Sequence, residues 1–224
     1  MAKRSDMARR DPEARRQAIL EAALAVFVAQ GFAAAKLDEV AEQAGVAKGT
    51  IYLHFKDTPD LFEQVVRAAV APVIERLEAL AMMPDVPADM VLKGLYELFR
   101  TEVLGTSRKD VLRLVIAEGP RFPAIAAFYH REVVSRGLQL MGGVLRRAGE
   151  RGELAADGLA AFPQLVVAPL ILAVIWDGLL GAIEPLDVKE LLDVYRRLLL
   201  RGAREPAWDP GCEPGREPRQ GERT

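Results

Sequence analysis

The clearest pattern along the chain is an apolar stripe at helical spacing. Ile19, Ala22, Ala23, Val26 and Phe27 fall at i, i+3, i+4, i+7 and i+8 in a segment that turns helical at Arg15. The stripe stops at Gly31, which suits a left-handed C-terminal cap. A short second helix is predicted over 37–44, with Leu37, Val40, Ala41 and Ala44 inward, and Gly45 breaks it. A third, over 47–54, buries Ile51 and Phe55, with Val46 packing into the turn. Asp57-Thr58-Pro59-Asp60 then opens a long helix: Asp57 caps it, Asp60 stands three residues on, and Pro59 occupies the first turn. Leu61, Phe62, Val65, Val66, Ala69 and Val70 carry that helix towards Met82-Met83.

Beyond Pro84 and Pro87 the spacing predicts helices over 88–104, 107–118 and 124–150. Ser107-Arg108-Lys109-Asp110 reads as a capping box for the second of these. Residues 159–183 and 188–202 read as two final helices, the last opened by Asp187 with Glu190 three residues later. No stretch alternates with period two, so the expected fold class is all-α, with about nine helices and no internal repeat. Residues 1–14 form a basic arm, expected to be partly disordered. Residues 15–57 make one small helical domain and 58–203 a larger one. The proline-, glycine- and charge-rich segment 204–224, which holds Cys212, reads as a disordered tail.

Composition changes this picture little, and charge distribution changes it more. Lys and Arg number 30 against 32 Asp and Glu, a balance of a globular chain. The first sixteen residues nevertheless hold Lys3, Arg4, Arg9, Arg10, Arg15 and Arg16. Such an arm attracts phosphates locally whatever the overall charge, because screening confines the attraction to about 8–10 Å. The longest uncharged apolar run, Leu165 to Trp176, is too short to span a membrane and is interrupted by Pro169. A buried helix or a subunit interface is the better reading, with no membrane partner. No secretory signal is visible, and a single cysteine suits a reducing cytoplasm, the expected location.

The stretch AGVAKGTIYLHFKDTPDLF, residues 44–62, crowds polar and charged side chains between two apolar patterns. A P-loop needs the order glycine, lysine, then serine or threonine after a strand; here Lys48-Gly49-Thr50 follows a helix. Two histidines, His54 and His130, three serines and one cysteine leave little for catalysis, and no metal-ligand spacing is present. No catalytic residue, metal or cofactor is predicted, and the expected function is not enzymatic. Two short helices joined by a glycine turn instead suggest a helix-turn-helix, which lays its second helix in the DNA major groove. The inner set is Val40, Ala41, Ala44, Val46, Ile51 and Phe55. The outer set is Lys48, Gly49, Thr50, Tyr52, Leu53 and His54. Lys48 can reach a base edge or phosphate, Gly49 allows close approach, Thr50 offers a hydroxyl and a methyl, and Tyr52 and His54 can bond phosphates.

Residues 15–62 resemble the DNA-binding region of TetR/AcrR-type transcriptional regulators. The resemblance is carried by Ile19-Leu20-Glu21-Ala22-Ala23, Phe27, Gly31-Phe32, Val40-Ala41, Ala44-Gly45-Val46, Lys48-Gly49-Thr50, Tyr52, His54-Phe55 and Leu61-Phe62. The second part is more weakly similar to the AefR-type branch, through Arg113-Leu114-Val115-Ile116-Ala117-Glu118 and Arg121-Phe122-Pro123. The resemblance implies a homodimeric repressor on a near-palindromic operator, released by a small molecule held in the C-terminal helices. Ala47, as adjacent backbone, Lys56 and Thr58 join the expected DNA-contacting set, and the chain departs from the family pattern twice. Lys36 stands where the family places a serine or threonine that caps the second helix; a lost cap costs on the order of 1 kcal/mol. Thr58 stands where a lysine is usual, and we expect Lys36 to supply the displaced cation.

For the larger domain, Met82, Met83, Met90, Tyr96, Phe99, Phe122, Phe128, Tyr129, Met141 and Trp176 lie at spacings any bundle core would show. Tyr96, Phe99, Glu118, Phe122, Phe128, Trp176 and Asp177 are the expected pocket residues, the two acids because they adjoin strongly apolar sequence. Residues 159–202 offer more apolar surface than one bundle needs and are the expected dimer interface, a four-helix contact. A two-fold dimer would read half-sites about 34–36 Å apart or a multiple of that. Two rivals remain: a constitutive or partner-controlled DNA-binding regulator with a filled C-terminal core, and a helical enzyme with titratable groups converging in one cleft.

Overall fold

The computed structural model describes residues 11–83 and 85–200, leaving aside the side chain of Asp157. Most of the expected arm, the tail 204–224 and Cys212 therefore lie outside the described residues. Nine helices run through the described part. α1 is Pro12–Gln30, α2 Leu37–Ala44, α3 Lys48–His54 and α4 Thr58–Ala81. α5, Ala88–Leu98, passes directly into a π-helical segment, Phe99–Leu104. α6 is Arg108–Glu118. α7 is one rod made of Pro123–Tyr129, a π-helical segment His130–Val134, and Ser135–Glu150. A 3-10 turn at Asp157–Ala161 leads to α8, Gln164–Leu179, and α9 is Val188–Leu199. Among the described residues there is no strand, only a single bridge between Leu154 and Leu200. No helix among them is long and apolar enough to cross a membrane.

Capping aspartates fix the starts of three helices, α1, α4 and α9. Asp57 accepts from the Asp60 N–H at 2.8 Å while Asp60 accepts from the Lys56 N–H at 2.9 Å, a reciprocal pair that fixes the entry to α4. Asp187 accepts from the Glu190 N–H at 3.0 Å at the start of α9, as its spacing predicted. Gly45 is left-handed, φ 68° and ψ 31°, and turns α2 sharply into α3.

Several boundaries differ from the sequence reading. α1 starts at Pro12 rather than Arg15, because Asp11 caps it and Pro12 fits the first turn; residues 12–14 thus belong to the helix and not to the arm. Gly31 has the expected positive φ of 79° but a ψ of 168°, an extended form rather than a left-handed one. Ser107 makes no cap; its own backbone is helical, and the Thr106 hydroxyl one residue earlier accepts from the Arg108 N–H. The single helix expected over 159–183 splits, since Pro163 ends the 3-10 segment and restarts the chain as α8. The last helix ends at Leu199, where Leu200 turns extended.

The apolar side chains gather in two clusters. One joins α1, α2 and α3 to the first half of α4, through Phe27, Val40, Ile51, Phe55, Phe62 and Val66, and continues into Val111, Leu114, Ile125 and Phe128. The other joins the far end of α4 to α5, α7, α8 and α9 through Leu77, Leu92, Met141, Leu145, Leu170 and Leu192. α4 belongs to both. Pro72 lies inside it and removes one N–H from the helical ladder midway between the two clusters.

Candidate nucleic-acid interface and effector cavity

α3 is short, and Ile51 is its one buried side chain. With Phe55 just beyond, Ile51 holds α3 to the core, both essentially inaccessible. The rest faces outward. Lys48, Gly49, Tyr52, Leu53 and His54 are exposed and Thr50 is half-buried. Tyr52 is 57% and Leu53 84% accessible, which wastes apolar surface unless something outside the chain covers it. A Cβ placed on Gly49 would meet nothing within 4 Å, so no neighbour among the described residues requires glycine there.

One partner of this face escaped the sequence reading. Asp38, at the start of α2, accepts from Lys48 Nζ at 2.8 Å and from the Tyr52 hydroxyl at 3.5 Å. The Lys48 hydrogen bond holds the Asp38 carboxyl below its ordinary range and raises Lys48 in turn. Lys48 and Tyr52 are thereby oriented in advance, across a turn that separates Asp38 from Lys48 by 10 residues. A spacing of that kind carries no periodic signal.

Around this helix, Lys36 is exposed and makes no side-chain cap, as its chemistry requires, and Ala47 caps nothing. Glu39, three residues after Lys36, makes no capping-box bond back to it, and its Oε2 is enclosed without a partner. Lys56 is exposed, while Thr58 is half-buried at the first position of α4.

A cavity of about 190 Å³ lies where the two core clusters meet. Its wall comes from α4 (Val70, Val73, Ile74), α5 with its π segment (Phe99, Val103), α7 (Tyr129, Val133, Leu138, Met141) and α8 (Val167, Leu170). Arg108 is the one charged residue among those lining it. A larger hollow of about 490 Å³ between α1, α4 and the start of α6 is ringed by Gln17, Glu21, Arg108 and Asp110, so the smaller, almost wholly apolar space is the better candidate for an apolar ligand.

Of the seven expected pocket residues, Phe99 alone lines this cavity. The buried Tyr96 donates to the Val166 carbonyl at 3.2 Å, and burial holds its hydroxyl protonated. Phe122 packs edge-on against Phe32 at 5.0 Å, within the aromatic group of Phe27, Phe32 and Phe62. Phe128 lies in the core beneath the guanidinium groups of Arg67 and Arg131. Trp176 donates to the Glu184 carbonyl at 2.7 Å. Asp177 binds Lys109 at 3.0 Å and Arg113 at 2.6 Å, and these bonds hold its carboxyl low. Glu118 sits against the end of α1: its Oε1 would be 2.7 Å from a Cβ on Gly31, and its Oε2 is enclosed without a partner.

The head just described, residues 19–65, matches the family model for bacterial regulatory proteins of the tetR family. Residues 92–195 match the tetracyclin repressor-like C-terminal domain. The chain belongs to the TetR family. Among curated relatives, the transcriptional repressor BepR of Brucella suis is 34% identical over 151 residues, 63% of this chain and 69% of BepR. The transcriptional regulator AcrR of Shigella flexneri is 34% identical over 101 residues, 45% of this chain; that match spans about half, 47%, of AcrR's length. The fold of this TetR-family chain is shared by SmeT, repressor of a Stenotrophomonas maltophilia multidrug efflux pump. In its complex with triclosan SmeT superimposes with a TM-score of 0.67 at 21% identity, over 92% of this chain and 100% of SmeT.

The described part of this TetR-family protein also carries an unpartnered apolar surface on α8, α9 and the segments beside them. Leu179 is 71% and Ile183 82% accessible, and Phe162, Leu172, Ile175 and Leu198 are exposed too.

Proposed function

We propose that this TetR-family regulator is a homodimeric repressor that binds a two-fold operator through α3 and leaves it when a small, mostly apolar molecule enters the cavity. The observation that carries the DNA-binding half is the exposure of α3 around its single buried residue, Ile51, with Lys48 and Tyr52 already oriented by Asp38. The exposed apolar face of α8 and α9 suits a second copy of the chain in a four-helix contact. The cavity favours effector control over a constitutive regulator with a filled core, and its apolar lining suits a molecule of the general chemistry that SmeT holds in triclosan.

Release follows from the position of α4. The helix supplies Val70, Val73 and Ile74 to the cavity and Leu61, Phe62 and Val66 to the core of the reading head. A molecule that pushes the cavity wall outward favours a different tilt of α4. The two heads of the dimer then no longer match the half-site spacing, and the population shifts to the unbound form. The test is to footprint the protein on the DNA flanking its own gene and screen small apolar molecules for loss of protection. Two protected half-sites erased by at least one such compound support the reading, and protection that no cavity-sized compound alters removes its effector half.

A further inference from the structure

The cavity contains one polar group with nothing to do. Tyr129 lines it, and the Tyr129 hydroxyl has no hydrogen-bond partner among the described residues. Tyr129 is half-buried and its hydroxyl is not among the enclosed polar atoms, so it keeps accessible surface beside an apolar space and is free to bond whatever enters. Arg108, the charged residue of the lining, is by contrast paired with Glu102. Its Nη1 donates to the Glu102 carbonyl at 3.1 Å and to Glu102 Oε2 at 3.0 Å, and Arg76 binds the same carboxylate at 2.6 Å. Among the described residues no carboxylate lines the cavity. A cationic ligand would find no counter-charge, and an anionic one would have to share Arg108 with Glu102 while losing its own hydration.

The backbone singles out the same place. Two π-helical segments interrupt the described helices, Phe99–Leu104 and His130–Val134, and both border this cavity. Tyr129 is the residue that leads into the second. π-Turns of this kind are uncommon and gather at functional sites, because the widened turn re-aims the side chains around it.

We propose that Tyr129 is the hydrogen-bonding anchor of the cavity, which selects an uncharged, largely apolar molecule of about benzene's size or somewhat larger carrying one hydrogen-bond acceptor, such as a carbonyl. The proposal rests on the effector reading above and names the ligand class for it. Size follows from volume, since a dry apolar cavity of about 150 Å³ already holds benzene, and this one measures about 190 Å³. Burial pushes the Tyr129 hydroxyl up to about 12, so at neutral pH it is a donor and never a phenolate.

The test is a matched pair of probes on the full-length protein. Acetophenone and α-methylstyrene share one shape, with a carbonyl in the first replaced by C=CH₂ in the second. Both are titrated by calorimetry into the wild type and into Tyr129→Phe. The expected result is that Tyr129→Phe weakens acetophenone about fivefold to tenfold, the worth of one net hydrogen bond, and leaves α-methylstyrene within about twofold. Thermal stability of the variant should not fall, because the hydroxyl removed had no partner. Equal effects on both probes, or none on acetophenone, overturn the anchor and leave the cavity standing as a binding site. Binding of neither probe to the wild type overturns the effector cavity and the anchor together.

Discussion

Gly137 offers the sharpest separation between a cavity that works and one that is merely a packing defect. It lines the cavity from α7, and a Cβ added there would meet nothing within 4 Å. Gly137→Leu therefore directs a side chain into empty space from a regular helical position. Replacing a helical glycine removes a backbone penalty of about 0.8–1.0 kcal/mol. Burying the new side chain contributes about 1.5–3 kcal/mol, against an overpacking cost of about 1–3 kcal/mol. The open approach places that cost near its lower end, so the variant should be more stable by about 1–3 kcal/mol. Urea unfolding should show a higher midpoint with an unchanged slope. Affinity for the operator should stay within about twofold, since nothing near α3 changes, while the molecule that releases the wild type should need at least about tenfold more concentration. A variant that is stabilised yet still released at the wild-type concentration would refute the assignment of this cavity as the effector site.

The remaining predictions address the joints of the structure. Gly31→Ala should cost about 1–3 kcal/mol in urea unfolding, because φ of 79° with ψ of 168° is open to glycine and almost nothing else. Adding Glu118→Ala should recover the part due to Glu118 Oε1 but not the backbone strain; strict additivity of the two changes would contradict this contact. Lys36→Glu should weaken binding to every duplex sequence, and the slope of log affinity against log salt should flatten by about 0.9 for the lost phosphate contact; an unchanged slope would remove Lys36 from the interface. Asp177→Asn should cut the tie from α6 to α8 and lower stability at neutral pH. Because Lys109 and Arg113 hold the Asp177 pKa below its ordinary 3.8, that stabilisation is complete above the unfolded value and disappears as pH falls through the folded one. The gap between wild type and variant should therefore close on acidification, and a gap that widens below about pH 4 would contradict the pairing.

What the sequence revealed and what it concealed divide along the range of the interactions involved. The stripe of α1, the short periods of α2 and α3, and the caps at Asp57 and Asp187 are local, so spacing alone exposes them. The outward set on α3 follows from the same logic, since burying Ile51 and Phe55 turns Lys48, Tyr52 and Leu53 to solvent. Near misses are also local: Thr106 and Ser107 are both able to cap, and only the backbone angle at Ser107 disqualifies it. The cavity is different. Phe99 and Phe122 look alike in the chain, yet one borders empty space and the other closes an aromatic cluster with Phe32. Tyr96 and Tyr129 differ in whether a carbonyl of another helix happens to face the hydroxyl. The two π segments leave no trace in hydrophobic periodicity, and Asp38 meets Lys48 only because Gly45 turns the chain.

The claim most exposed to test is that the open face of α3 meets DNA. Gly49 lies on that face, and nothing among the described residues occupies the space its side chain would take. Operator binding and thermal unfolding of Gly49→Leu, measured side by side with the wild type, separate a DNA contact from a structural role. The account predicts a fold at least as stable, since a helical glycine is replaced, and an operator affinity lower by at least about tenfold. Wild-type affinity in a folded Gly49→Leu protein would contradict it.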